Sequence, residues 1–166
     1  TTATVEGNII YTNASYGIYA DGGTVVRRNL VRRCGTYGIY VPSGTVGVVN
    51  NTVHRMTGTG IYVAGGSPQV KNNITTSNTG NGIQVAAGTP TVTRNNSFGN
   101  GVANYSGFAP VSTDIQSNAR YVNPSALDFD LTATSASVNA GTNLGPPYVL
   151  SYIGPAPDHG AFESAS

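Results

Sequence analysis

The chain has little charge and few of the residues that mark a disulfide framework. Only 9% of its 166 residues are charged, the formal net charge is +1, and it contains one cysteine, one methionine and no tryptophan. The single Cys34 excludes an internal disulfide. A net charge near zero gives no field that would draw the protein to nucleic acid or to an anionic membrane, so we expect neither as a partner.

Long apolar runs are missing as well. No stretch approaches the ~20 consecutive apolar residues of a membrane-spanning helix. Lysine is almost absent, Lys71 being the one example, while glycine, threonine and asparagine are abundant. This composition favours a secreted or extracellular protein of bacterial or phage type. A length of 166 residues predicts a single domain.

What the chain does have is a repeat of about 22 residues. The tripeptide Gly-Ile-Tyr, or Gly-Ile-Gln in its last copy, recurs in step with an asparagine. The two series are Gly17, Gly38, Gly60 and Gly82, and Asn8, Asn29, Asn51, Asn73 and Asn95. Two markers that share one period predict that a single supersecondary unit is stacked into a solenoid.

Each repeat reads as three short strands. The segments Ile39–Val41 and Ile61–Val63 alternate apolar and polar residues with the period of two that strands have. Valine and isoleucine occupy the inward positions, as pleated strands prefer, and glycine or proline interrupts the chain at each turn. The pattern predicts an all-β parallel β-helix of about five coils, in which the asparagine series forms an inward ladder.

The repeat ends near residue 108. Residues 1–108 are predicted to form the coils, and residues 109–166, which contain several prolines and no period, a C-terminal strap and cap on the same solenoid. A solenoid end needs such a cover because an open coil is an unpaired sheet edge. The N-terminal coil has no comparable cover. This favours a C-terminal portion of a longer β-helix, or end-to-end self-association through that coil.

The repeated Val-x-x-Asn-x-Val and Gly-Ile-Tyr-Val elements resemble right-handed parallel β-helix repeat proteins of the pectate-lyase-like fold group. The tail sequence Asp158–Glu163 is similar to the Asp-Ile-Gly-Ala-Tyr-Glu ending of many secreted β-helix proteins, from which His159 and Phe162 depart. The resemblance implies a right-handed β-helix related to secreted polysaccharide lyases and epimerases. The group also contains hydrolases and adhesins, so it fixes the fold more closely than the activity.

Basic residues form one predicted electropositive patch across coils two to four. By register, Arg32 is expected beside His54, Arg33 beside Arg55, and Arg27 two coils from Lys71. Guanidinium groups bind planar carboxylates and sulfates well, so the patch predicts contact with an acidic glycan. The alternative is a solvated surface on which Glu6 pairs with Arg27.

Three tyrosines are predicted to form an outward column. Tyr19, Tyr40 and Tyr62 occupy equivalent places in successive repeats, and Gln84 follows them. Exposed aromatic rows bind sugar rings, and aromatic ladders also stabilise stacked strands, so both interpretations stay open.

If the chain is catalytic, the resemblance implies β-elimination on a uronate glycan. Lys71 or Arg55 would act as the base, Arg33 and Arg27 would neutralise the carboxylate, and Tyr40 would lie near the leaving oxygen.

Acidic residues limit this chemistry, because the coils contain only Glu6 and Asp21. No glycosidase pair is expected. Calcium, which often serves related lyases, would need carboxylates from the tail, so no metal ligand is assigned and no cofactor is certain. The predicted function is extracellular recognition of an acidic polysaccharide, with or without catalysis. The alternative is a structural stalk or adhesin segment without activity.

Overall fold

The structure is a computed structural model that describes residues 2–149 and 151–164. In the coils, each turn of the chain gives one short strand to each of three parallel sheets. Sheet A contains β1 (Thr4–Glu6), β4 (Val25–Arg27), β7 (Gly47–Val49), β10 (Gln69–Lys71) and β13 (Thr91–Thr93). Sheet B contains β2 (Ile9–Tyr11), β5 (Leu30–Arg32), β8 (Thr52–His54), β11 (Ile74–Thr76) and β14 (Asn96–Phe98). Sheet C contains β3 (Tyr16–Tyr19), β6 (Tyr37–Val41), β9 (Thr59–Val63), β12 (Ile83–Val85) and β15 (Tyr105–Ser106).

The predicted parallel β-solenoid of about five coils is confirmed. Strands of successive coils pair without register shift, so equivalent side chains stack on one another. The inward residues of all three sheets form one core along the solenoid axis. Its central members are Val26, Val31, Ile39, Val48, Val53, Ile61 and Val70, all fully buried. Each such side chain contributes about 1.5–3 kcal/mol by leaving water.

The glycine of each Gly-Ile-Tyr element allows neighbouring coils to approach closely. A Cβ atom built on Gly38 would lie 2.5 Å from the carbonyl oxygen of Gly60 and 2.5 Å from Val53 Cγ1. A Cβ atom on Gly60 would lie 2.6 Å from the Gly82 carbonyl oxygen. Such contacts are too short for any side chain, so the repeated glycine is a packing requirement.

The bend that follows sheet B is built from left-handed residues. Arg33, Arg55 and Ser77 have φ values of 52°, 55° and 57° and occupy the same place in successive coils. The left-handed region costs a non-glycine residue roughly 1–2 kcal/mol. All three residues are exposed, so the bend carries a column of solvent-facing side chains.

The predicted asparagine ladder is confirmed inside the bend between sheets A and B. In Asn8, Asn29, Asn51 and Asn73 the backbone N and the side-chain Nδ2 donate to the Oδ1 of the asparagine one coil further on, at 2.9–3.1 Å. The ladder runs from Asn8 to Asn95, whose backbone N donates to Asp114 Oδ1 at 3.0 Å. Asp114 therefore ends the ladder at the last coil.

The tail leaves coil five and runs back along the solenoid. Its strands β16 (Tyr121–Asn123) and β17 (Asp128–Leu131), joined through a 3-10 turn at Pro124–Ala126, pair antiparallel. Ala119 and Leu131 pack on Ile74 of sheet B. Further on, the tail reaches Arg27 in coil two and Gly47 in coil three, and the ring of Tyr148 fills the space that a Cβ atom on Gly47 would need.

The part of the chain that the structure describes contains no helix of the length and hydropathy that a membrane span requires.

Candidate functional site

Arg27 lies beneath the tail. Its Nη2 donates to Glu6 Oε2 at 2.7 Å, which confirms the predicted pair, and its Nη1 donates to the carbonyl oxygen of Pro147. The residue is 7% exposed. Arg27 thus joins coil one and the tail, and a glycan would reach its guanidinium only after the tail had moved.

Arg32 and His54 pair in adjacent strands as the register predicted, and they are also buried. The ring of Phe129 stands edge-on to His54, with centroids 5.2 Å apart, and lies 5.9 Å from Arg32 Cζ. Tyr121 packs against the other two rings, 5.8 Å from His54 and 4.8 Å from Phe129. The tail hairpin therefore covers this part of the predicted patch.

His54 is held as a neutral imidazole. Burial, followed by the nearby charges of Arg55, Arg32 and Arg33, lowers its pKa to about 4. Its Nδ1 lies 2.9 Å from Thr76 Oγ1, which lies 3.1 Å from the Tyr121 hydroxyl. Burial also raises the pKa of the Tyr121 phenol, so both groups are uncharged near neutral pH.

Arg33 and Arg55 form the open part of the basic surface. We call these two exposed side chains the arginine row, because they occupy the same left-handed place in coils two and three. Within residues 2–149 and 151–164 the one salt bridge joins Arg27 to Glu6, so neither member of the row has a carboxylate partner there. The row can therefore accept an external anion.

Lys71 lies on a different face. Arg27, Val49 and Lys71 follow one another along sheet A, and Lys71 is half-buried. The tail occupies the bend between sheets A and B, where Asn72 Nδ2 donates to the Thr142 carbonyl oxygen at 2.9 Å. The tail therefore separates Lys71 from Arg55.

These positions correct the expected arrangement of the site. The single electropositive patch is divided into a covered part, which contains Arg27, Arg32 and His54, and the open arginine row. The residues suggested for β-elimination lie on sheet A, on the bend after sheet B and, for Tyr40, on sheet C. The structure does not bring them together, and their roles stay predictions.

The predicted tyrosine column is present on sheet C and is larger than expected. Tyr19 pairs with Tyr40, and Tyr40 with Tyr62, while Tyr16 and Tyr37 insert between them. We call these five residues the tyrosine row. Neighbouring ring centroids are 4.3 Å apart for Tyr37 and Tyr62, 5.3 Å for Tyr37 and Tyr40, and 5.0 Å for Tyr16 and Tyr40.

Most of the ring faces in the tyrosine row are covered by neighbouring tyrosine rings. The stacked pairs have interplanar angles of 4° to 20°, so a sugar ring cannot lie flat on the inner members. Burial, and then the neighbouring Tyr62, Tyr16 and Tyr40, raises the pKa of Tyr37. Tyr19, 55% exposed and tilted by 48° from Tyr40, is the member with the most open surface. The row therefore offers mainly ring edges and phenol groups.

The carboxylates of the closing motif hold the tail. Asp158 Oδ1 accepts from the Asn139 backbone N at 2.7 Å, and Asp158 Oδ2 accepts from the Ser164 backbone N at 2.9 Å. Glu163 accepts from the Asp158 backbone N at 3.2 Å and 3.3 Å. These two acids therefore hold the tail in place through contacts with its backbone.

Calcium does not fit the acidic residues of the tail. Among the described residues no three His, Cys, Asp or Glu side chains lie close enough together to hold a metal ion. Calcium needs six to eight oxygen ligands, and the oxygens of Asp158 and Glu163 are engaged by the tail itself.

A family model described as "Right handed beta helix region" matches residues 1–101, more than half of the chain. The chain belongs to the right-handed β-helix family. The match covers four coils and most of the fifth, and the tail that carries Tyr121 and Phe129 lies beyond it. Searches of curated proteins and of solved structures found no match to this β-helix.

Proposed function

We propose that this β-helix binds an extracellular acidic polysaccharide along sheet C and the bend beside it. The observation that carries the proposal is the parallel course of the tyrosine row and the arginine row on faces that the tail leaves open. In coil two only three residues separate Arg33 from Tyr37. Equivalent groups recur every ~4.8 Å along the axis, so a repeating ligand meets repeating partners.

The chemistry of the two rows is complementary. The guanidinium groups of Arg33 and Arg55 suit the carboxylates or sulfates of an acidic glycan, because each can donate two parallel hydrogen bonds to such a group. The phenols of the tyrosine row donate to and accept from sugar hydroxyls. Mutual stacking holds the rings still before the ligand arrives, which reduces the entropy lost on binding.

Each contact on these open faces is weak by itself. Exposed ion pairs typically contribute 0.2–1 kcal/mol, so affinity would come from several coils acting on one chain. We therefore expect binding to long polysaccharides and little binding to isolated monosaccharides at this surface.

The test is affinity electrophoresis in gels that contain neutral, carboxylated or sulfated polysaccharides, with and without Ca²⁺. We expect acidic polysaccharides to retard the protein and neutral ones to leave it unaffected. The double variant Arg33→Ala/Arg55→Ala should lose the retardation. The control Lys71→Ala/Arg94→Ala removes the same charge from outside the two rows and should keep it.

Two outcomes would reject the proposal. Equal loss in both double variants would mean that net charge, and not the arginine row, causes retardation. Absence of retardation by every polysaccharide would favour the alternative of a structural stalk or adhesin segment, for which the tyrosine row serves only to stabilise the stack. Where retardation occurs, ultraviolet absorbance of unsaturated products tests β-elimination, with Arg55→Ala and Lys71→Ala compared singly.

A further inference from the structure

A cleft of about 370 Å³ lies between the outer side of sheet B and the tail hairpin. Its volume is near the lower end of the range for small-ligand pockets. The coils and the tail both contribute to its walls. The polar residues that line it are His54, Arg55, Thr76, Ser77, Asn118, Arg120 and Tyr121.

The charge in this cleft is entirely positive. Arg55 comes from the bend after sheet B and Arg120 from the tail, and both are exposed. No aspartate or glutamate is among the lining residues. Arg120 Nη1 donates to Thr134 Oγ1 at 3.1 Å, which fixes one edge of its guanidinium and leaves other N–H groups for a ligand.

The remaining polar groups are hydrogen-bond donors that carry no charge. Asn118 Oδ1 accepts from the Arg120 backbone N at 2.9 Å, so the amide has its Nδ2 left to donate. Thr76 Oγ1 lies 3.1 Å from the Tyr121 hydroxyl and 2.9 Å from His54 Nδ1, so this three-membered chain has one hydrogen left to donate, and Ser77 adds a hydroxyl from the bend. A group bound here would meet donors from the coil wall, the tail wall and the inner surface.

We propose that this cleft binds a tetrahedral oxyanion, the sulfate or phosphate group of a monoester, between Arg55 and Arg120. Donors that converge from several directions match four oxygens arranged around one centre better than the two coplanar oxygens of a carboxylate. Tetrahedral oxyanions also accept the charge-assisted hydrogen bonds that arginine forms. The proposal shares Arg55 with the polysaccharide surface and does not depend on that function.

Binding would connect two parts of the chain. Arg55 belongs to the coils and Arg120 to the tail, so an anion held by both links the tail to the solenoid. Because the anion would bind only the folded chain, it would raise the unfolding temperature in a saturable manner.

The test uses inorganic sulfate and inorganic phosphate as probes, at constant ionic strength maintained with chloride. Isothermal titration calorimetry should show one saturable site, and thermal unfolding should follow the same saturation. Arg55→Ala and Arg120→Ala should each weaken binding about tenfold or more, since each removes a charge-assisted contact. Lys71→Ala, which removes a cation from sheet A, should bind as the unaltered protein does.

Three results would overturn the proposal. Sulfate also stabilises proteins because it is excluded from their surface. An unfolding temperature that rises without saturation, and equally in all variants, would therefore mean that no site exists. Tighter binding of acetate than of sulfate or phosphate would mean a carboxylate site. Comparing a sugar sulfate with the matching sugar phosphate shows whether the cleft prefers a sulfate or a phosphate monoester. If it binds neither, the proposal of a monoester site is wrong.

The two proposals fail separately. Arg120→Ala leaves the arginine row intact, so polysaccharide retardation should be unchanged in this variant. Loss of sulfate and phosphate binding in Arg120→Ala with retardation retained supports a distinct cleft. Loss of both properties together would contradict it.

Discussion

Sheets B and C are formed by the same five coils, yet their outer faces are completed in different ways. On sheet B the outward residues Leu30, His54 and Ile74 are buried, and the tail packs directly on His54 and Ile74. On sheet C the outward residues Tyr19 and Tyr40 have no such cover and pack against one another. The outer face of sheet B is covered by the tail, whereas the side chains on the outer face of sheet C cover one another.

The comparison shows that repetition determines the interior of a solenoid, while the outer faces can differ. The inward columns of both sheets are valine and isoleucine in coils two and three, and on sheet B the buried pair Thr75 and Ser97 continues the column. The covered face can bury uncommon groups, such as Arg32 and a neutral His54, because the tail supplies aromatic partners for them. The open face is limited to side chains that remain stable in water.

The largest expected effect comes from removing the aromatic contact of the covered face. Phe129 is 2% exposed and packs on His54 and Tyr121, so Phe129→Ala should lower the free energy of unfolding by about 4 kcal/mol. The matched change on the open face, Tyr19→Ala, should cost less than about 1 kcal/mol because Tyr19 is 55% exposed. Guanidinium unfolding measures both, and equal losses would remove the distinction between the faces.

A smaller and closely matched effect is expected along one column of sheet B. Ile9 and Leu30 pair in adjacent strands, but Leu30 is 1% exposed and Ile9 is 55% exposed. Leu30→Ala should therefore cost about 3 kcal/mol and Ile9→Ala less than about 1 kcal/mol. Urea unfolding of the two variants checks this, and a cost for Ile9→Ala as large as that for Leu30→Ala would contradict it.

The smallest of the three effects is a dependence on pH that only the covered face should show. The pKa of His54 is lowered to about 4 in the folded chain, and an unfolded histidine titrates near 6.5. As pH falls from 6.5 to 4 the unfolded chain takes up a proton that the folded chain does not, so stability decreases, by roughly 2–3 kcal/mol at most. Above pH 6.5 this contribution is constant.

The variant His54→Gln isolates that contribution. His159, also buried with a pKa lowered to about 4, remains in the variant and keeps its own part of the dependence. Between pH 7 and pH 4.5 the free energy of unfolding of His54→Gln should fall less than that of the unaltered protein. Identical pH profiles would show that burial under the tail does not hold His54 neutral.

The periodic part of the molecule could be predicted from sequence because each repeat confirms the next. The step of 21 or 22 residues predicts that Arg32 lies beside His54, Tyr19 beside Tyr40 and Glu6 beside Arg27, and all three neighbours are found. The step works because stacked strands keep one register.

The path of the tail could not be predicted in the same way. Its contacts join residues far apart in sequence, such as Arg27 with Pro147 and Asn50 with Asp158, and no period indicates them. As a result the burial of Arg27, Arg32 and His54 was missed, and with it the division of the basic surface. A signal was present in Leu30 and Ile74, which are apolar although the alternation places them outward.

The asparagine ladder also gives the solenoid an electrical direction. Each of the four bonds between successive asparagine side chains donates toward coil five, so the side-chain carbonyls that accept them all point the opposite way. The positive end of this array is the backbone N–H of Asn95, which resembles the free N–H groups at the N-terminus of an α-helix. Asp114 places a carboxylate at that end, 3.0 Å from the backbone N of Asn95. The last coil is thus electrostatically capped by one acid, in the manner of a helix N-cap.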